Sequence, residues 1–106
     1  MNMVALRFYV HESRKHKKVL LFEWLLDRAK DIGIHGGSAF TAIAGFGRHG
    51  VIHEQHLLDL VSDLPVMVEF IVSEDEADQL IALVKSEKVH TFCTRTRTQA
   101  IVVDGE

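Results

Sequence analysis

The chain has 106 residues, enough for one domain and too few for two ordinary ones. It is 47% apolar and 25% charged, the balance of a globular protein that can bury a core without disulfide or metal staples. Twelve Lys and Arg against fifteen Asp and Glu leave a formal charge of −3, which argues against nucleic acid as the partner, because phosphate backbones call for a basic face. The single cysteine, Cys93, excludes an intrachain disulfide and fits a reducing compartment. The first residues lack the layout of a signal peptide, and no apolar run is long enough to span a membrane. The expected location is cytoplasmic.

Residues 4–10 alternate, with Val4, Leu6, Phe8 and Val10 on one side and Ala5, Arg7 and Tyr9 on the other, and predict a first strand. Ser13 then reads as a helix cap. From about residue 16 to residue 31 the apolar period becomes helical through Val19, Phe22, Leu25, Leu26, Ala29 and Ile32, and Gly33 is a natural stop. Leu21 and Trp24 lie beside that stripe, either as its broad edge or as a contact with another subunit. Residues 38–44 predict a second strand of mostly small side chains, open to close approach by a backbone or a ligand. Residues 57–61 are apolar but short, and fit a strand or a helical turn. After Pro65, the run from Val66 to Val72 is nearly all apolar and predicts a central third strand.

Ser73 and Glu76 form a capping-box signature for a second helix, which runs through Ala77, Leu80, Ile81, Leu83 and Val84 and ends near residues 85–88. A last strand is expected over residues 89–98, running on towards 101–103. The order strand, helix, strand, strand, helix, strand predicts one α+β domain over 1–106. It is the ferredoxin-like βαββαβ sandwich, an antiparallel sheet with two helices on one face.

The chemistry-bearing stretch is residues 42–54, Ala-Ile-Ala-Gly-Phe-Gly-Arg-His-Gly-Val-Ile-His-Glu. Successive backbone N–H groups around Gly45, Phe46 and Gly47 can form an anion nest, to which Arg48 and His49 add donors. The competing reading is a tight strand-end turn with Phe46 buried as a plug. His49, His53 and His56, with Glu54, would share a face on a helix and could ligate a metal, whereas on a strand His56 would face away. A solvated loop explains the same histidines. Glu12, Ser13 and His16 could be read as acid, nucleophile and base, but a helix cap accounts for them more simply, so no catalytic residue is assigned. Arg95 and Arg97 alternate with threonines and share one face of the last strand, for phosphate binding or for ion pairs at an exposed or inter-subunit face. Cys93 reads as a small core residue.

Three blocks carry a resemblance. They are Tyr9-Val-His-Glu12-Ser13-Arg-Lys-His16, then Ile43-Ala-Gly-Phe-Gly47 with Arg48, Ile52 and His53 after it, and Ser62-Asp63-Leu64-Pro65-Val-Met-Val-Glu69. In order and spacing they resemble an uncharacterised PII-like family, a domain of unknown function related to the nitrogen regulatory PII signalling proteins. The resemblance implies a homotrimer with nucleotides in clefts between subunits, and a mobile loop that engages a membrane transporter or an enzyme. It places Gly45, Phe46, Gly47 and Arg48 against phosphates and His49 where a glutamine is usual. It matches Glu69 to a third-strand glutamate after a one-residue shift, and Arg95 and Arg97 to phosphate-reaching arginines. The implied ligand is ATP, ADP or AMP. PII proteins also carry a glycine-rich lysine loop after the second helix, whereas residues 85–89 here contain no glycine. The alternative expectation is a trimeric protein that binds a divalent metal through the loop histidines, His53 first.

Overall fold

The computed structural model describes residues 1–46, 52–54 (backbone only) and 64–105. In chain order the elements are β1 (Asn2–His11), β2 (Lys15–His16), β3 (Val19–Leu20), α1 (Leu21–Asp31), β4 (Ser38–Thr41), β5 (Ala44–Phe46), β6 (Ile52–Glu54), β7 (Pro65–Val72), α2 (Glu74–Ser86) and β8 (Phe92–Gln99). Four of the strands form one sheet in the order β4-β7-β1-β8, with every neighbouring pair antiparallel. This is the ferredoxin-like arrangement that the alternation of elements predicts.

The apolar alternation decides which face is covered. Val4, Leu6, Phe8 and Val10 of β1 lie opposite Val72, Phe70, Val68 and Val66 of β7, and all eight are buried. Both helices pack on this face, α1 through Leu21, Trp24, Leu25 and Ala29 and α2 through Ala77, Leu80 and Val84. Each fully buried large apolar side chain contributes roughly 1.5–3 kcal/mol. Leu21 and Trp24 therefore belong to the broad edge of the helix stripe. The Ser73 hydroxyl accepts from the Glu76 N–H while the Glu76 carboxylate accepts from the Ser73 N–H, so the capping box forms as expected. Gly33 follows α1 with φ +93°, the left-handed stop that glycine tolerates.

Three elements differ from expectation in their bounds, each for a local reason. The first helix starts at Leu21, and no side chain caps it. Residues 15–20 instead make a small hairpin, with Lys17 and Lys18 in its two-residue turn at φ 52° and 69°. Positive φ at both centres is the hairpin-favouring geometry, usually given to Asn and Gly, so two lysines concealed it. The second strand stops at Thr41, because the next ladder partner would be Pro65, which has no N–H to donate. The Ala42 N–H still bonds to the Pro65 carbonyl at 2.8 Å, and the chain then departs as β5, which pairs with β6. The last strand starts at Phe92 because Lys88, at φ 59°, turns the chain out of α2 and the Val89 N–H bonds back to the Val84 carbonyl. It ends at Gln99, which pairs with Asn2, the first residue of β1.

Candidate functional site

Strand register assigns each candidate side chain to a face, because directly opposed residues point the same way. Glu69 lies opposite Arg7 of β1 and opposite Ser38 of β4, on the face that carries no helix. Arg7 Nε donates to Glu69 Oε2 at 2.8 Å, with the side chains 33% and 23% exposed. Arg7 escapes a sequence reading, because strand register is what brings it to Glu69. The same face presents Tyr9, Phe40, Ile71 and Phe92, all exposed although apolar.

Arg95 and Arg97 do share one side of β8, as the alternation predicts. They lie opposite Leu6 and Val4, however, so that side faces the helices. Arg95 is held by α2, with its guanidinium 2.9 Å from Asp78 Oδ1 and 2.5 Å from Glu74 Oε2. These carboxylates, Asp78 first, raise its pKa further above the ordinary arginine value. Arg97 comes only within 3.9 Å of Glu74, its side chain is 94% exposed, and it borders an open cleft of about 520 Å³ with Asn2 and Gln99. Of the two arginines, Arg97 is the one with a guanidinium to offer.

At the other end of the molecule, Gly45 and Phe46 lie in β5. Phe46 is 72% exposed, so it is not a buried plug. A Cβ on Gly45 would come within 3.2 Å of Pro65 Cγ, which explains a glycine there. Gly45 pairs with His53 across the small ladder. Gly47, Arg48, His49 and His56 lie outside the described residues, as do residues 57–61. Among the described residues no three His, Cys, Asp or Glu side chains cluster as a metal site requires. His16 is engaged by Glu87 at 3.2 Å and by Trp24.

One geometric fact governs the site. Gly45 adjoins Pro65, which pairs with His11 at one end of β1, whereas Arg97 pairs with Val4 near the other. Seven residues of extended strand separate these levels, about 23 Å. Within one subunit Gly45 and Arg97 cannot touch the same small ligand.

The fold is the one seen in PII-like proteins of known structure. A PII-like protein, CPII from Thiomonas intermedia K12, solved with ADP, AMP and bicarbonate, is similar with a TM-score of 0.64 and 24% identity, covering 94% of this chain and 89% of that one. A putative PII-like signaling protein from Thermus thermophilus matches with a TM-score of 0.62 and 16% identity, over 92% and 86% of the two chains. A UPF0166 protein of Aquifex aeolicus (strain VF5) is 34% identical over 82 residues, 77% of this chain and 78% of that protein. Residues 3–100 match the model of DUF190, described as Uncharacterized ACR, and the chain belongs to that family. Among the described residues no helix is long and apolar enough to cross a membrane.

Proposed function

We propose that the protein is a cytoplasmic, trimeric PII-like regulator that binds an adenine nucleotide in clefts between subunits. The effector biases the segment after Gly47, which engages or releases a partner such as a transporter or an enzyme. The observation that carries this reading is the separation of Gly45 from Arg97, which lets both serve one ligand only if two copies contribute. Exposure supports the assembly, since Tyr9 (40%), Phe40 (50%), Ile71 (45%) and Phe92 (69%) leave an apolar helix-free face uncovered. The ADP and AMP bound to CPII support the ligand class.

In this reading the glycine-rich turn of one subunit cradles phosphate oxygens with backbone N–H groups and Arg48, while Arg97 of the next adds a charge-assisted contact. Arg95 acts indirectly. Its ion pairs with Asp78 and Glu74 fix β8 to α2 and so hold Arg97 outward. Nucleotide binding then shifts the population of the loop conformations in proportion to its preference among them.

Calorimetric titration with AMP, ADP, ATP and Zn²⁺ tests the assignment. Wild type is expected to bind a nucleotide, with Arg48→Ala and Arg97→Ala each weakening it about 10- to 100-fold, the worth of one charge-assisted hydrogen bond. Nucleotide binding indifferent to both changes rejects the site. Zn²⁺ binding lost in His53→Ala, without any nucleotide response, selects the metal reading instead.

A further inference from the structure

Beyond β8 the chain runs Ala100-Ile-Val-Val-Asp-Gly-Glu106, and Ile101, Val102 and Val103 are 72%, 80% and 88% exposed. Three consecutive uncovered aliphatic residues are a hazard unless something covers them. They also lie past the last residue of the family match, so family membership does not account for them.

A cleft of about 350 Å³ opens between α2 and β8, lined by Phe8, Ile81, Val84, Val89 and Cys93 together with the cations Lys85 and Arg95. Its character mirrors the tail. Apolar walls suit Ile101–Val103, and the ammonium of Lys85, in the last turn of α2, suits Asp104, which follows the aliphatic run.

Reach decides whose tail fits. Ala100 is pinned beside Met1 by two backbone bonds, its N–H to the Met1 carbonyl at 2.8 Å and its carbonyl to the Met1 amino group at 2.9 Å. Arg95, the residue of β8 that lines the cleft nearest the tail, lies five residues back along the extended strand, about 16 Å away, and Cys93 lies two residues further. Three residues beyond Ala100 span at most about 11 Å. The tail cannot enter the cleft of its own subunit. The outer edge of β8 is unpaired among the described residues, which leaves a second copy room to approach.

We propose that the segment Ile101–Val103 of one copy fills the α2–β8 cleft of a neighbouring copy, the following carboxylate of Asp104 facing Lys85. This rests on the reading that the chain assembles with itself, and it assigns the tail a place in that assembly.

Cys93 is the only cysteine, so Val102→Cys creates a two-thiol probe at a position too exposed to disturb folding. Mild catalysed oxidation, followed by non-reducing electrophoresis and peptide mass mapping, is expected to give covalent oligomers joined between position 102 and Cys93. The control Asp75→Cys, in the exposed first turn of α2, is expected to give none. Oligomers by sedimentation without a 102–93 bridge overturn the tail docking and leave self-assembly standing, with the cleft open to another occupant. A monomer at all concentrations overturns both. A bridge formed within one chain contradicts the reach argument and overturns the docking.

Discussion

Glu87 and His16, 71 positions apart in sequence, meet at 3.2 Å, and the same carboxylate oxygen accepts from Lys17 Nζ at 2.8 Å. The contact clips the β2–β3 hairpin to the end of α2. It also holds the His16 ring edge-on to Trp24, with 4.7 Å between centroids. Lys17, and after it His16, keep the Glu87 carboxyl below its ordinary value of 4.5. A carboxyl depressed on folding stabilises the fold above its unfolded value and stops doing so as pH falls through the folded one. Wild type is therefore expected to outlast Glu87→Gln in urea at pH 7, with the difference closing as pH drops below 4.5. Fluorescence of Trp24, the only tryptophan, follows both unfolding curves.

Lys88 takes φ 59° directly after α2, where a side chain costs about 1–2 kcal/mol over a right-handed conformation. Glycine removes that cost but adds roughly 0.5–1 kcal/mol of chain entropy. Lys88→Gly is expected to stabilise the fold by about 0.5–1 kcal/mol, measured by chemical denaturation. A loss of stability would mean that the lysine side chain supports the corner.

Gly37 leads into β4 against the core. A Cβ there would enter the edge of the Phe70 ring and come within 3.2 Å of Leu26 Cδ2. Phe70 is buried and packs edge-on against Phe8, with centroids 6.3 Å apart, so it has little room to yield. Gly37→Ala should cost about 1–3 kcal/mol, the usual penalty of overpacking. An unchanged denaturation midpoint would contradict that tight approach.

The helix-free face supplies a test of assembly separate from ligand binding. Phe40 is half exposed and lies opposite Met67 in the sheet register, outside the covered core. Phe40→Asp is expected to keep the circular dichroism of wild type while shifting sedimentation towards the monomer. A variant that stays oligomeric would place the interface elsewhere.

Much of this was legible in the residues. The alternation in β1 and β7 and the Ser73–Glu76 box are local patterns, and each predicts its element and covered face. The β2–β3 hairpin was hidden because Lys17 and Lys18 adopt positive φ without the usual glycine or asparagine. The break after Thr41 depends on Pro65, far along the chain, and the Arg7–Glu69 pair exists only once the strands are in register. Alternation put Arg95 and Arg97 on one side of β8, but only packing distinguishes the arginine held by Asp78 and Glu74 from the exposed one. Glycines in the sequence locate the turn that carries Gly45, while its distance from Arg97 is a property of the folded sheet.

The central claim is that each ligand site draws on two subunits, and mixing variants tests it most directly. Arg48→Ala and Arg97→Ala proteins are unfolded together, refolded as mixed oligomers and titrated with ADP. Separately, each variant should show the weakened affinity. A mixed assembly should recover wild-type affinity at about a quarter of its clefts, the fraction in which an intact Arg48 faces an intact Arg97 from the next subunit. Mixed oligomers that recover no tight sites would contradict the shared site.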